Sequence, residues 1–96
     1  MGMKKYRLNK IKRIRRLRDS LLKTDNLGRC TTLLMKMPNV SEYGRDCHDS
    51  YYGSGRRINL WLKGGYEYSF SGYESLLHYA KQAGKLAYME WIKKIL

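Results

Sequence analysis

A chain of 96 residues makes one small domain, which buries only about two-thirds of the surface its unfolded chain exposes. Twenty basic against eight acidic side chains leave a net charge of +12, which points to a polyanionic or acidic partner. No apolar run approaches the roughly 18 residues of a membrane span. No apolar leader follows the N-terminal charges, so no secretory signal is expected. Two cysteines are too few for a disulfide scaffold, and reduced thiols in a cytoplasm are the expectation.

The charge is uneven. Residues 1–18 hold nine basic side chains (Lys4, Lys5, Arg7, Lys10, Lys12, Arg13, Arg15, Arg16 and Arg18) and no acid, while the remainder carries only +3. Leu8, Ile11, Ile14, Leu17, Leu21 and Leu22 recur at spacings near three and four, which predicts a helix over 3–23. Like charges three and four apart repel, so the first half is expected to fray when free and to become helical against phosphates. Leu17–Leu22 is expected to pack on the body. The chain thus divides into a basic N-terminal helix or arm, 1–23, and a small α+β domain, 24–96.

Thr24–Arg29 has turn chemistry. Cys30–Met37 is apolar and β-branched and reads as a first strand, stopped by Pro38. Asn39–Arg56 is weakly periodic and reads as a long loop, with Val40–Tyr43 as a short edge strand.

The clearest element is Arg57–Phe70. Ile58, Leu60 and Leu62 alternate with Arg57, Asn59, Trp61 and Lys63, the period of a half-buried strand. Gly64-Gly65 supplies a hairpin turn, and Tyr66, Tyr68 and Phe70 alternate on the way back. A two-residue turn sets Lys63 opposite Tyr66, Trp61 opposite Tyr68 and Asn59 opposite Phe70. Ser71-Gly72-Tyr73-Glu74 has the form of a capping box. Tyr73, Leu76, Leu77 and Ala80 follow at helical spacing. Gly84 either ends this helix or is tolerated inside it. Leu86, Met89, Ile92 and Leu96 mark one stripe of a last helix, and Tyr88, Trp91 and Ile95 another. The fold class is α+β: a basic N-terminal helix, a small antiparallel sheet of three or four strands with a Gly-Gly hairpin, and C-terminal helices packed on the sheet.

Nine unopposed charges with interleaved Leu and Ile suit phosphate contact, each contact releasing counterions; the plain alternative is a solvated tail. Trp61, Tyr68 and Phe70 beside Arg57 and Lys63 suit base stacking or ordinary packing beneath a helix. Gly53-Ser54-Gly55-Arg56-Arg57 reads as a bend presenting N–H and guanidinium groups to phosphate, or as a flexible lead into the strand. Cys30, Cys47, His48 and His78 could ligate zinc, but adjacent Cys47-His48 is poor spacing for one ion. Asp46-Cys47-His48-Asp49 could serve a hydrolase, though no second motif supports it. No cofactor, metal or catalytic set is therefore assigned, and the chain is read as a binding protein, not an enzyme.

The basic stretch Lys4–Arg18, joined to a body whose hairpin Arg57–Phe70 leads into a helix, resembles phage-encoded anti-CRISPR inhibitors of Cas9 in plan. That resemblance implies an inhibitor that occupies a guide-RNA or nuclease surface in the cytoplasm of a host cell. The expected function is engagement of nucleic acid or a ribonucleoprotein, with inhibition of a CRISPR–Cas nuclease as the specific form that the resemblance implies. The contact residues are the nine cations named above with Arg56, Arg57, Trp61 and Lys63. The alternatives are a nucleic-acid-binding accessory protein and a small metal-dependent or Cys/His hydrolase.

Overall fold

The computed structural model describes residues 2–50 and 53–95, and the side chains of residues 5–45 and 55–95. In chain order the elements are α1 (Gly2–Lys23), α2 (Leu27–Met35), β1 (Val40–Ser50), β2 (Gly53–Leu62), β3 (Tyr66–Gly72) and α3 (Leu76–Ile95). The strands form one antiparallel sheet in the order β1-β2-β3.

The segment expected as a first strand is helix α2. Asn26 stops the preceding turn in extended conformation, and its side-chain oxygen accepts from the Arg29 N–H at 2.9 Å, the N-cap interaction. The Thr31 and Thr32 hydroxyls, which favour strands in isolation, donate back to the carbonyls of Leu27 and Gly28. Cys30, Thr31, Leu33 and Leu34 then form one buried face. Burial of that face outweighs the β-propensity of Cys-Thr-Thr, which spans only about 1 kcal/mol per site.

The hairpin has a different register from the expected one. Leu62 pairs with Tyr66, Leu60 with Tyr68 and Ile58 with Phe70, so the turn is Lys63-Gly64-Gly65, three residues and not two. The Gly65 N–H donates to the Leu62 carbonyl at 3.3 Å, and both glycines have positive φ, 101° and 89°. A one-residue slip exchanges faces. Here it puts the apolar residues of both strands together, with Ile58, Leu60 and Leu62 buried and Tyr68 and Phe70 packed beside them. The two-residue turn would have split them across the sheet.

The expected loop is also strand. β1 pairs with β2 along its length, with an irregularity between Val40 and Glu42. There the Ser41 hydroxyl donates to the Trp61 carbonyl at 2.9 Å. Gly53–Arg57 is the opening of β2 and not a bend.

Ser71 and Gly72 finish β3, so Ser71 and Glu74 do not form the expected capping box. Ser75 caps α3, its hydroxyl accepting from the His78 N–H at 3.1 Å, and Tyr73, placed before that start, is 78% exposed. Helix α3 runs unbroken through Gly84. Its buried side is Tyr79, Ala80, Ala83, Gly84, Ala87, Tyr88 and Trp91, whereas Met89 is exposed. Small residues at four of those positions let neighbouring backbones come close.

Helices α2 and α3 pack on the apolar face of the sheet, and α1 packs on α2 and α3. Helix α1 joins through Ile11, Ile14 and Leu21. Leu21 is fully buried, sits against the Gly84 Cα, and its carbonyl accepts from the Cys30 thiol at 3.8 Å. Asn39 ties the turn before β1 to α3, its amide nitrogen donating to the Ala87 carbonyl at 2.9 Å.

A Cβ at position 84 would overlap the Leu21 methyls. Gly84→Ala is expected to destabilise by about 1–3 kcal/mol through overpacking, although alanine is the better helix former by about 1 kcal/mol. In Gly84→Ala/Leu21→Ala the two losses should be less than additive. Chemical denaturation of the three variants measures this. At the turn, Gly64→Ala and Gly65→Ala should each cost about 1–3 kcal/mol from positive φ, read by the shift in melting midpoint.

Candidate functional site

The fold sorts charge by layer. Residues 1–36 and 76–96, which contain the helices, carry sixteen basic and three acidic side chains, a balance of +13. Residues 37–75, which contain the sheet, carry four and five, a balance of −1. Helix α1 concentrates this charge.

Lys5, Arg7, Lys12, Arg13, Arg15 and Arg16 are exposed, Lys10 and Arg18 are half-buried, and the Lys4 side chain lies outside the described residues. The apolar residues Ile11 and Ile14 turn one side of α1 inward. At 100° per residue, Lys5, Lys12, Arg16 and Lys23 therefore line up on the opposite side. All four are exposed, along about 27 Å at 1.5 Å per residue. Residues 5–9 are exposed on every side of the helix, including Tyr6 at 72% and Leu8 at 57%.

Two α1 cations have structural partners. The Arg15 Nε donates to the Tyr88 hydroxyl at 3.3 Å, and this hydrogen bond raises the Arg15 pKa further above its ordinary value. The Arg18 guanidinium lies 4.3 Å from the Tyr88 ring centre, a cation–π geometry, and pairs with Asp19 at 2.9 Å. The one other ion pair among the described residues joins Lys93 to Glu90. Arg15 and Arg18 thus clasp α3, and the ridge from Lys5 to Lys23 is left without a carboxylate partner among the described residues.

Beside the ridge, Arg13, Arg16 and Ser20 of α1 face Lys36 across an open groove of about 450 Å³, with Ile14, Leu17 and Pro38 along it. Lys36 has no place among the sequence-expected contact residues, because its position beside α1 depends on α2 being a helix.

Arg56, Arg57, Trp61 and Lys63 do not join this surface. The pleat sends Arg57, Asn59 and Trp61 to the face away from α2 and α3, with Glu67, Ser69 and Ser71 of β3 beside them. Trp61 is half-buried, its ring lying where a side chain at Gly44 would touch it. Tyr68 and Phe70 are on the opposite face in the core, so the expected stack of Trp61, Tyr68 and Phe70 does not exist. Arg56 donates to the Tyr73 carbonyl at 3.3 Å, and Lys63 is exposed in the turn.

Of the Cys/His residues, Cys30 is buried in the core, and its burial pushes the thiol pKa up. His78 is exposed on α3, edge-on to Tyr79. The side chains of Asp46, Cys47, His48 and Asp49 lie outside the described residues. Among the described residues, no three His, Cys, Asp or Glu side chains gather as a metal-holding group, and no helix is long and apolar enough to cross a membrane.

Set against models of protein families, curated proteins and solved structures, the chain matches none.

The Cys30 environment has a measurable consequence. A thiolate is the reactive form, and burial disfavours it here. In a Cys47→Ser variant, iodoacetamide should label Cys30 only at the rate of global opening, with fast labelling in denaturant. Because the folded pKa is raised, the unfolded chain ionises first, so stability should fall as pH climbs past the ordinary thiol value of 9.0. Cys30→Ala should remove that part of the pH dependence in denaturation curves.

Proposed function

We propose that the protein binds nucleic acid, alone or within a ribonucleoprotein, through the exposed cations of α1. The observation that carries this reading is the unpaired ridge Lys5–Lys12–Arg16–Lys23 on a helical layer of net +13. A row of side-chain cations along one side of a helix tracks a phosphate backbone and releases its counterions. The ridge holds charge and no base-reading group, so it supplies affinity more than sequence preference. The projecting turn with Tyr6 and Leu8 adds apolar surface where a partner closes on the helix. The resemblance in plan to Cas9 inhibitors makes a Cas9–guide RNA complex, in the cytoplasm of an infected cell, the first nucleoprotein to test. On this reading the protein acts by occupying a surface and performs no chemistry of its own.

The test is fluorescence anisotropy with labelled RNA, single-stranded DNA, duplex DNA and a Cas9–guide RNA complex over a range of salt. Binding should weaken linearly in log–log form, by about 0.7–0.9 log units per contact for each tenfold rise in salt. Replacing Lys5, Lys12, Arg16 and Lys23 with alanine should flatten the slope by two to four contacts' worth. The melting temperature should hold, since exposed charges add little stability. An unchanged slope on every probe would remove α1 from the interface.

A further inference from the structure

We infer that the groove between α1 and the Lys36–Pro38 turn receives one nucleotide of a single-stranded nucleic acid, its phosphate between Arg13, Arg16 and Lys36. The inference rests on the function proposed above and names the ligand class and a further contact residue.

Three cations from two separate elements converge on this groove, and no acid lines it. Arg13 and Arg16 are three residues apart on α1, so both guanidinium groups reach the same side. A guanidinium fork matches phosphate oxygens in pairs, and a lysine ammonium adds a point charge. The Ser20 hydroxyl offers one further donor along the same wall. Lys36 is held in place by its backbone, whose N–H caps the Leu33 and Leu34 carbonyls at the end of α2.

The rest of the lining selects the strand type. Leu17 and Pro38, both half-buried, place apolar surface beside the cations. A duplex shows such a surface only its phosphates and sugars, its bases being stacked inside. An unpaired nucleotide can lay its sugar and base over Leu17 and Pro38 while its phosphate meets the cations, and a guanidinium plane can stack on the base. At about 450 Å³ the groove has the size of sites that hold ligands of nucleotide size.

The test compares Lys36→Gln with Arg29→Gln. Arg29 is an exposed cation on α2, the helix that Lys36 caps, and lies outside the groove, so both variants lose one charge. Circular dichroism and melting curves confirm that both are folded. Anisotropy is measured with a fluorescein-labelled twenty-four-nucleotide poly-U and a twelve-base-pair duplex, which carry nearly equal numbers of phosphates. Lys36→Gln should weaken poly-U binding about tenfold, with a salt slope lower by about 0.7. Its effect on the duplex should match that of Arg29→Gln, which should be under twofold on both probes. If Lys36→Gln and Arg29→Gln behave alike on poly-U, the groove is not a nucleotide site, while the α1 ridge still stands. An equal loss on both probes overturns the single-strand assignment. If the native chain binds neither probe at low salt, the nucleic-acid reading itself falls, and the groove with it.

Discussion

The close approach of Leu21 to Gly84 decides how the strongly basic helix is used. A helix with nine cations in its first eighteen residues repels itself. Alone it gains little from the handful of favourable pairs available to it. Burying Leu21 is worth about 1.5–3 kcal/mol, and that burial is possible only because position 84 carries no side chain. Ile11 and Ile14 extend the same seam. Arg15 and Arg18 close it over Tyr88, one by a hydrogen bond and one across the ring face. Two of the nine charges are thereby turned into packing, while Lys5, Arg7, Lys12, Arg13 and Arg16 are exposed.

That geometry has an electrostatic consequence. The sheet layer is nearly neutral, and its outer face mixes Arg57 with Glu67 and small polar side chains. The helical layer holds the whole of the net charge, +13 against −1 for the rest. A protein polarised in this way meets a polyanion helices first, and orientation precedes contact. Because α1 is anchored at its second half, a phosphate backbone bound as proposed would meet cations already spaced along a rod, with little further ordering required of residues 11–23.

Several features were legible in the residue pattern, and others were not, for physical reasons. The 3.6-residue period of Leu and Ile marks α1 through a cloud of like charge, and the alternation around Gly64-Gly65 marks the hairpin. The register was within reach: keeping Ile58, Leu60 and Leu62 on one face with Tyr68 and Phe70 requires a three-residue turn, and Gly-Gly fits both turn lengths. Helix α2 was hidden because Cys-Thr-Thr-Leu-Leu has strand propensity, and only a single cap, Asn26, speaks against it. Strand β1 was hidden because its residues are polar and irregular. It exists because β2 offers an edge to pair with. The charge of the candidate site was plain from composition. Its shape was not, since Trp61 changes face with the register and Lys36 reaches α1 only once α2 is helical.

The central claim is that α1 is an integral, charged rod and not a loose tail. Amide hydrogen exchange of the free protein, repeated with single-stranded RNA, tests it most directly. Amides of residues 11–23 should be protected nearly as well as those of α3, while those of residues 5–9 exchange fast and slow down when RNA is added. Fast exchange throughout 5–23 in the free protein, at rates expected of an unfolded segment, would contradict it.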